Sequence, residues 1–101
     1  MEKKKLAQFI DHSILNPIYT DSDLLRECDI AKKYKVATVC VKPYCVSRVV
    51  DIMKDSSVKV CTVIGFPHGN SSIKSKEFEA VEAIQNGAQE IDMLINIAKV
   101  I

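Results

Sequence analysis

One acidic residue lies within an apolar segment, where a carboxyl group can do chemistry. Asp92 stands in the segment Glu90–Ile97, and strand alternation places it on one face with Leu94 and Asn96. The opposite face is predicted to be covered by helices and consists of Ile91, Met93, Ile95 and Ile97. A carboxylate inside a core strand is costly unless a cation or hydrogen-bond donors receive it. Two interpretations of Asp92 are therefore open: a buried carboxylate satisfied by its neighbours, and a catalytic acid or base.

Two further positions follow apolar runs, where the carboxyl ends of parallel strands meet ligands. Lys42 is a candidate Schiff-base nucleophile, although most lysines are solvated and activation requires a desolvated pocket. Residues 65–70 read Gly-Phe-Pro-His-Gly-Asn, which is neither a Walker loop nor a dinucleotide-binding motif. This loop could bind an anion through backbone N–H groups, or it could be a structural turn that leaves His68 facing solvent. His12, beside Asp11, is interpreted as structural rather than as a ligand.

Short apolar runs alternate with amphipathic segments along the chain. Strands are predicted where the runs are short and rich in β-branched residues, at Val36–Val41, Val58–Ile64 and Glu90–Ile97. Helices are predicted at about Lys3–Ile10, Thr20–Tyr34, Tyr44–Lys54 and from Ser71 or Ser72 to Gly87, whereas Asp11–Tyr19 is predicted to be turn-rich. The order, a short N-terminal helix followed by β-α-β-α-β, indicates an α/β fold with parallel strands. The pattern alone does not distinguish a barrel from an open sheet.

The helices carry end signals and apolar faces. Thr20 is predicted to cap the second helix, with Asp21 and Asp23 in its first turn, where the helix dipole favours carboxylates. Pro43 is well placed to start the next helix. Helical spacing relates Leu24, Leu25, Cys28, Ala31 and Lys35 in the second helix and Ile73, Phe78, Val81 and Ile84 in the last. Each helix is therefore predicted to pack one face on the sheet.

The composition is that of an ordinary globular domain. The 101 residues are 48% hydrophobic and 27% charged, and 14 basic against 13 acidic residues give a formal net charge of +1. Only Lys3–Lys5 forms a charge run, without interleaved aromatic residues, so nucleic-acid binding is not expected. No apolar stretch approaches the roughly 18 residues of a membrane span, and the N-terminus has no apolar signal core. A cytoplasmic location without membrane association is therefore expected.

Four cysteines are spread along the chain, at Cys28, Cys40, Cys45 and Cys61. They form no Cys-x-x-Cys motif, and their intervals match no zinc pattern. Free and mostly buried thiols in a reducing compartment are therefore expected, with a disulfide or a metal site as the alternative.

Four segments, in the same order, resemble deoxyribose-phosphate aldolases. They are Ile10–Leu15, Val39–Tyr44, Val58–Gly69 and Gly87–Asn96, and together they extend over nearly the whole chain. The resemblance implies that residues 1–101 are a single partial domain, the β-α-β-α-β N-terminal portion of a (β/α)8 TIM barrel containing its first three strands.

The resemblance also implies an activity. Members of this family are class I aldolases that cleave 2-deoxy-D-ribose 5-phosphate to glyceraldehyde 3-phosphate and acetaldehyde through a lysine Schiff base, without metal or cofactor. Asp92 matches the aspartate of the proton relay, as proton donor and acceptor, and Asp11 and Cys40 fall where the family lines its substrate pocket. The family's catalytic lysines lie on later strands. None of Lys42, Lys59, Lys74, Lys76 and Lys99 matches them.

Three functions are compatible with these observations. The first is the N-terminal part of a working aldolase, which is predicted to be inactive alone. The second is a non-catalytic truncated barrel module that acts through self-association or a partner chain. The third is a small α/β domain that binds a phosphorylated ligand at the loop 65–70. Since a partial sheet leaves its edges and one face uncovered, a homo-oligomer or another covering assembly is predicted.

Overall fold

Four parallel strands form one sheet, in the order in which they occur along the chain. The computed structural model describes residues 1–101. Its strands are β1 (Asp11–Ile14), β2 (Thr38–Val41), β3 (Lys59–Ile64) and β4 (Glu90–Met93). Each strand pairs in parallel with the next. The predicted α/β fold with parallel pairing and a short N-terminal helix is confirmed.

Helices connect the strands, as parallel pairing requires. They are α1 (Lys3–Ala7), α2 (Asp21–Tyr34), α3 (Val46–Ile52) and α4 (Ile73–Gln85), with 3₁₀ turns at Pro43–Cys45 and Ile97–Lys99. Pro43 does begin the segment after β2, but it starts a 3₁₀ turn, so α3 begins at Val46 rather than near Tyr44. None of the helices combines the length and the apolar character that crossing a bilayer demands.

Strand β1 was not predicted, and the chain therefore contains four strands rather than three. Residues 11–14 fall in the segment expected to be turn-rich, because Asp-His-Ser-Ile contains a single apolar residue. Pairing with β2 fixes the strand: Asp11 lies opposite Thr38, and Ile14 lies opposite Val41. Only Ile14 is buried in β1. The tertiary contact with β2, rather than local β-propensity, makes this segment extended.

Helix α2 begins at the predicted cap. The Asp23 backbone N–H donates to Thr20 Oγ1 at 3.4 Å, and the Thr20 backbone N–H donates to Asp23 Oδ2 at 2.8 Å. The hydrogen bond from the Thr20 backbone and that from Arg26 lower the pKa of Asp23 from 3.8 to about 2. At the other end, Lys35 adopts a left-handed conformation with φ 52°. Local chemistry therefore defines both ends of α2.

The main core lies between one face of the sheet and helices α2 and α3. It includes Ile14, Val39, Val41 and Val60 from the strands and Leu24, Cys28, Ala31, Val46 and Val49 from the helices. In α2 the predicted face is confirmed at Leu24, Cys28 and Ala31, whereas Leu25 and Lys35 are exposed. Burying one Val or Leu side chain contributes about 1.5–3 kcal/mol, so this face supplies most of the stabilisation.

Helix α4 packs differently from the prediction. Its expected apolar face is exposed, at Ile73, Phe78, Val81 and Ile84. The helix instead approaches the sheet through Ala83, its one buried residue. Ser72 caps it by accepting a hydrogen bond from the Ser75 backbone N–H, and the predicted glycine Gly87 follows the helix end with φ 102°. The spacing of apolar residues thus identified an apolar face of α4, but this face does not pack on the sheet.

Strand β4 is shorter than predicted and ends at Met93 rather than Ile97. The Asn96 side chain accepts a hydrogen bond from the Ala98 backbone N–H and so caps a 3₁₀ turn instead of continuing the ladder. The register places Ile91 opposite Thr62 and Met93 opposite Ile64, on the helix side of the sheet as predicted. Both Ile91 and Met93 are nevertheless exposed.

Candidate functional site

The strand register gathers the candidate residues on one face of the sheet. Cys40 lies opposite Cys61, and Asp92 lies opposite Val63, so these side chains project to the same side. We call this side, which faces away from α2 and α3, the open face. Its strand residues are Asp11, Ser13, Thr38, Cys40, Lys59, Cys61, Val63, Glu90 and Asp92. The three residues predicted for the site, Asp11, Cys40 and Asp92, therefore share one surface.

Asp11, Cys40 and Cys61 form a cluster of three potential ligand groups. One carboxylate oxygen and the two sulfur atoms all lie within 4.8 Å of one another. Asp11 is exposed, whereas Cys40 and Cys61 are each only 3% exposed and pack with Val63. The cluster is thus a pair of buried thiols with a carboxyl group at its entrance.

The electrostatics of this cluster disfavour ionisation. Burial, followed by the charges of Glu90 and Asp92, raises the pKa of Asp11 above its ordinary value, and the Thr38 hydroxyl opposes the shift. Burial also raises the pKa of Cys61 to about 11 and shifts the pKa of Cys40 upward as well. Because the thiolate is the nucleophilic form of cysteine, both thiols are neutral wall groups at neutral pH.

Asp92 carries an exposed carboxylate near the end of β4. The interpretation of Asp92 as a buried, satisfied carboxylate is wrong, because the side chain is exposed and none of the salt bridges includes it. Its charge reaches the cluster, where it helps to raise the pKa of Asp11 and of Cys61. A carboxylate without a partner is available for proton transfer, and its catalytic role stays a prediction.

Lys42 is held by backbone carbonyl groups. Its Nζ atom donates to the carbonyl oxygen of Asn16 at 3.1 Å and to that of Tyr19 at 3.4 Å, and it lies 5.6 Å from the centre of the Tyr44 ring. Both hydrogen bonds direct the side-chain nitrogen to the backbone of residues 16–19, whereas an imine-forming lysine must present its amine to the substrate. The geometry therefore favours a structural role for Lys42.

His12 is also structural, as predicted. It points to the helix side of β1, away from Asp11, and its Nε2 atom lies 3.1 Å from Glu27 Oε1. The same glutamate accepts a hydrogen bond from Arg26 Nε at 3.2 Å. This contact joins β1 to α2 and leaves the open face without a histidine.

The loop 65–70 has the contacts of a structural turn, and anion binding at the start of α4 stays a prediction. Gly65 N donates to Glu79 Oε1 at 2.7 Å, so a carboxylate already occupies this donor. The Gly69 N–H donates to the Gly65 carbonyl oxygen at 2.6 Å, and both glycines have positive φ. His68 is exposed, as the turn interpretation predicted. A negative charge at Glu79 would repel a phosphate group here.

Cys61 and Glu90 were not identified from the sequence as parts of the site. A signal for Cys61 exists, because Cys40 is the third residue of β2 and Cys61 is the third residue of β3. Equal positions in adjacent parallel strands place side chains on the same face, provided that the register is known. Glu90 begins β4 opposite Cys61, which no local pattern could indicate.

Comparison with known proteins shows that this chain is similar to aldolases. A family model described as DeoC/LacD family aldolase matches residues 5–100. The chain is 54% identical over 97 residues to a deoxyribose-phosphate aldolase of Caldicellulosiruptor saccharolyticus, which covers 96% of this chain and 44% of the relative. It is 48% identical over 93 residues to the deoxyribose-phosphate aldolase of a Thermoanaerobacter species, covering 92% of this chain and 42% of the relative.

A solved structure shares the fold. The tetrameric deoxyribose phosphate aldolase from Aeropyrum pernix superposes with a TM-score of 0.90 at 28% sequence identity, covering 97% of this chain and 42% of that chain. This chain therefore spans less than half the length of the relatives it matches. Its four strands correspond to part of a TIM-barrel aldolase.

Proposed function

Because this chain belongs to the DeoC/LacD family of aldolases, we propose that it supplies four strands and one wall of the active site of a deoxyribose-phosphate aldolase. The reaction is cleavage of 2-deoxy-D-ribose 5-phosphate to glyceraldehyde 3-phosphate and acetaldehyde through a lysine Schiff base. The observation that carries the proposal is the joint position of Asp11, Cys40 and Asp92 on the open face.

Asp92 is the proposed proton donor and acceptor. Carbon–carbon cleavage through an imine requires protons to move between the substrate hydroxyl group, the imine and the enamine. An exposed carboxylate without an ion-pair partner can exchange such protons, and the neighbouring Val63 gives it an apolar flank. The position of Asp92 within a barrel strand agrees with the placement of catalytic side chains in this fold.

Asp11 and Cys40 are proposed to line the substrate pocket. Cys40 presents a neutral thiol, which suits an apolar wall beside a carbon chain better than it suits a nucleophile. Asp11 presents a carboxyl group at the edge of the same wall, where it can accept a hydrogen bond from a sugar hydroxyl group. Both roles are binding roles and involve no covalent step.

The imine-forming lysine is assigned to a strand that these 101 residues do not contain. Lys42 is the one lysine placed at the carboxyl end of a strand, and its ammonium group is bound to two carbonyl oxygens. We therefore expect this chain to show no aldolase turnover by itself. No metal or cofactor is required by the proposed chemistry, and the substrate is a small sugar phosphate.

A chimera tests this function. The chain is joined to the part of the Caldicellulosiruptor saccharolyticus aldolase beyond the matched segment, and acetaldehyde release from 2-deoxyribose 5-phosphate is measured. We expect turnover in the chimera, and a loss of about 100-fold or more with Asp92→Asn. Asp55→Asn, at an exposed turn residue, is the matched control and should retain turnover. A folded chimera without turnover would contradict the proposal. Full activity of Asp92→Asn would show that Asp92 does not transfer the proton.

A second function, that of a non-catalytic module acting through self-association or a partner chain, is favoured by the exposed apolar side chains of α4 and β4. Ile73 is 83% exposed and Phe78 is 70% exposed, and such surface is normally covered. The relative from Aeropyrum pernix is a tetramer. We propose that a homo-oligomer or a covering assembly buries this surface, and that the location is cytoplasmic. A monodisperse monomer in sedimentation velocity would argue against the oligomer.

A further inference from the structure

We propose that Asp11, Cys40 and Cys61 form a binding site for a thiophilic divalent cation, such as Zn²⁺. The site goes beyond the proposed aldolase reaction, which uses no metal, and rests on the geometry of the open face alone. Two sulfur ligands select zinc-like ions over magnesium or calcium, and the carboxylate completes a three-ligand set.

The distances suit a single ion. The three ligand atoms lie within 4.8 Å of one another. Zn–S bonds of about 2.3 Å place two thiolates about 3.8 Å apart in a tetrahedral site, so small side-chain rotations close the set around one ion. The ligands come from β1, β2 and β3, three adjacent strands whose backbone is fixed by parallel pairing. The two cysteines are register partners, which holds their sulfur atoms side by side.

The surroundings favour a cation. Glu90 and Asp92 project from β4 to the open face, and Glu90 lies directly opposite Cys61. Lys59, opposite Thr38, is the one cationic strand residue on this face. Three carboxylates, of Asp11, Glu90 and Asp92, therefore share this face with one lysine, and their combined charge attracts a divalent ion. Each thiol loses its proton when it coordinates the metal, so binding releases protons to solvent.

The ion also has a route of entry. Asp11 is exposed, and one of its carboxylate oxygens lies within 4.8 Å of the sulfur atoms of the two buried thiols. Three protein ligands would leave the fourth position of a tetrahedral ion open for a water molecule. The bound ion would therefore sit in the surface that we assign to the substrate pocket.

The other two cysteines provide a matched control. Cys28 in α2 and Cys45 in the 3₁₀ turn before α3 belong to the same main core and are almost fully buried. No carboxylate joins them in a three-ligand group, since the one such group in the chain is Asp11, Cys40 and Cys61. If two thiols alone were enough to bind a cation, removing either pair of cysteines would weaken binding equally.

The experiment is a Cd²⁺ titration of the full 101-residue chain under reducing conditions. Cd²⁺ is the probe because its bonds to thiolates give an ultraviolet charge-transfer band whose intensity reports the number of thiolates bound. We expect one tightly bound Cd²⁺ with two thiolates, displaced by Zn²⁺. The band should disappear in Cys40→Ala/Cys61→Ala and persist in Cys28→Ala/Cys45→Ala.

Asp11→Asn tests the third ligand. Because Asp11 is exposed, we expect this substitution to leave the fold unchanged. We expect it to retain the two-thiolate band but to bind Cd²⁺ at least about tenfold more weakly. Circular dichroism of each variant establishes that the fold is retained. The proposal is overturned if the wild-type chain gives no band, if removing Cys28 and Cys45 abolishes it, or if Asp11→Asn binds as tightly as the wild type.

Discussion

The Thr62 hydroxyl group donates a hydrogen bond of 2.6 Å to the carbonyl oxygen of Val41, within the apolar layer between β3 and β2. Thr62 is fully buried, and its side chain shares the helix side of the sheet with Val60 and Ile64. A polar side chain at this depth is tolerated because its one donor is satisfied. The bond also ties together the two strands that carry Cys40 and Cys61.

Replacing Thr62 by Val should therefore destabilise the chain. The variant keeps the shape of the side chain but removes the hydrogen bond, so we expect the free energy of unfolding to fall by about 0.5–1.5 kcal/mol. Urea denaturation followed by circular dichroism measures the change. Thr62→Ser retains the hydroxyl group but lacks the methyl group, so it measures the packing contribution separately from that of the hydrogen bond. A Thr62→Val variant as stable as the wild type would show that the bond contributes nothing net.

The capping box of α2 predicts a pH dependence. The folded-state pKa of Asp23 is about 2, below its ordinary value of 3.8. Between these values the unfolded chain binds more protons than the folded chain, so stability rises with pH in that window. The contribution of Asp23 is therefore complete above about pH 4 and is lost as the pH falls through 2.

Asp23→Asn tests this dependence. We expect a lower melting temperature than the wild type at neutral pH, and a difference that shrinks as the pH is lowered from 4 towards 2. Asp29→Asn, on the same helix and outside the capping box, is the control. A difference between Asp23→Asn and wild type that is independent of pH would show that the carboxylate charge does not matter.

Two glycines of the loop 65–70 should respond unequally to substitution by alanine. Both have nearly the same positive φ, 67° at Gly65 and 68° at Gly69, so the backbone strain of about 1–2 kcal/mol is common to both. A Cβ atom at Gly69 would lie 2.1 Å from the Ile95 carbonyl oxygen, whereas at Gly65 it would meet the flexible end of Lys76 at 3.0 Å. Denaturation should therefore show a larger loss for Gly69→Ala, and equal losses would mean that the loop moves freely.

The four thiols should react slowly with iodoacetamide in the folded chain. All four are buried, and burial raises the pKa of each, to about 11 for Cys28 and Cys61. At about pH 8 a thiol with such a pKa is ionised in roughly one molecule per thousand. Mass spectrometry over time should show little labelling until urea is added. Rapid labelling of Cys40 alone would identify it as an activated nucleophile and contradict its role as a neutral wall.

Local sequence was sufficient to predict those elements whose conformation depends on residues close together in the chain. The β-branched runs around Val39 and Val63 form strands, and Thr20 caps α2, because propensity and capping act within a few residues. Strand β1 escaped prediction because its only apolar residue is Ile14, and its conformation depends on pairing with a segment more than twenty residues away. The exposure of Phe78 likewise depends on what packs on α4 and not on the pattern of α4 itself.

The candidate site could likewise be predicted from local sequence only in part. Asp92 stood out because a carboxylate interrupts an apolar run, and Asp11 and Cys40 were identified through the family resemblance. Their joint position on the open face, and the addition of Cys61, follow from the register of three strand pairs, which no single segment encodes. The hydrogen-bond partners of Lys42 lie in the β1–α2 connection, far from Lys42 in sequence. Its position after β2 therefore suggested a nucleophile, whereas in the fold its side chain binds backbone carbonyl groups.

The close approach of Gly69 to the backbone of Ile95 has a mechanical consequence. Because Gly69 has no side chain, the connection after β3 packs directly against the main chain just beyond β4. The contact lies next to the strand that carries Asp92, three residues before Ile95. Any residue other than glycine at position 69 would push this main chain aside, so the backbone next to the Asp92 strand depends on the absence of a single methyl group.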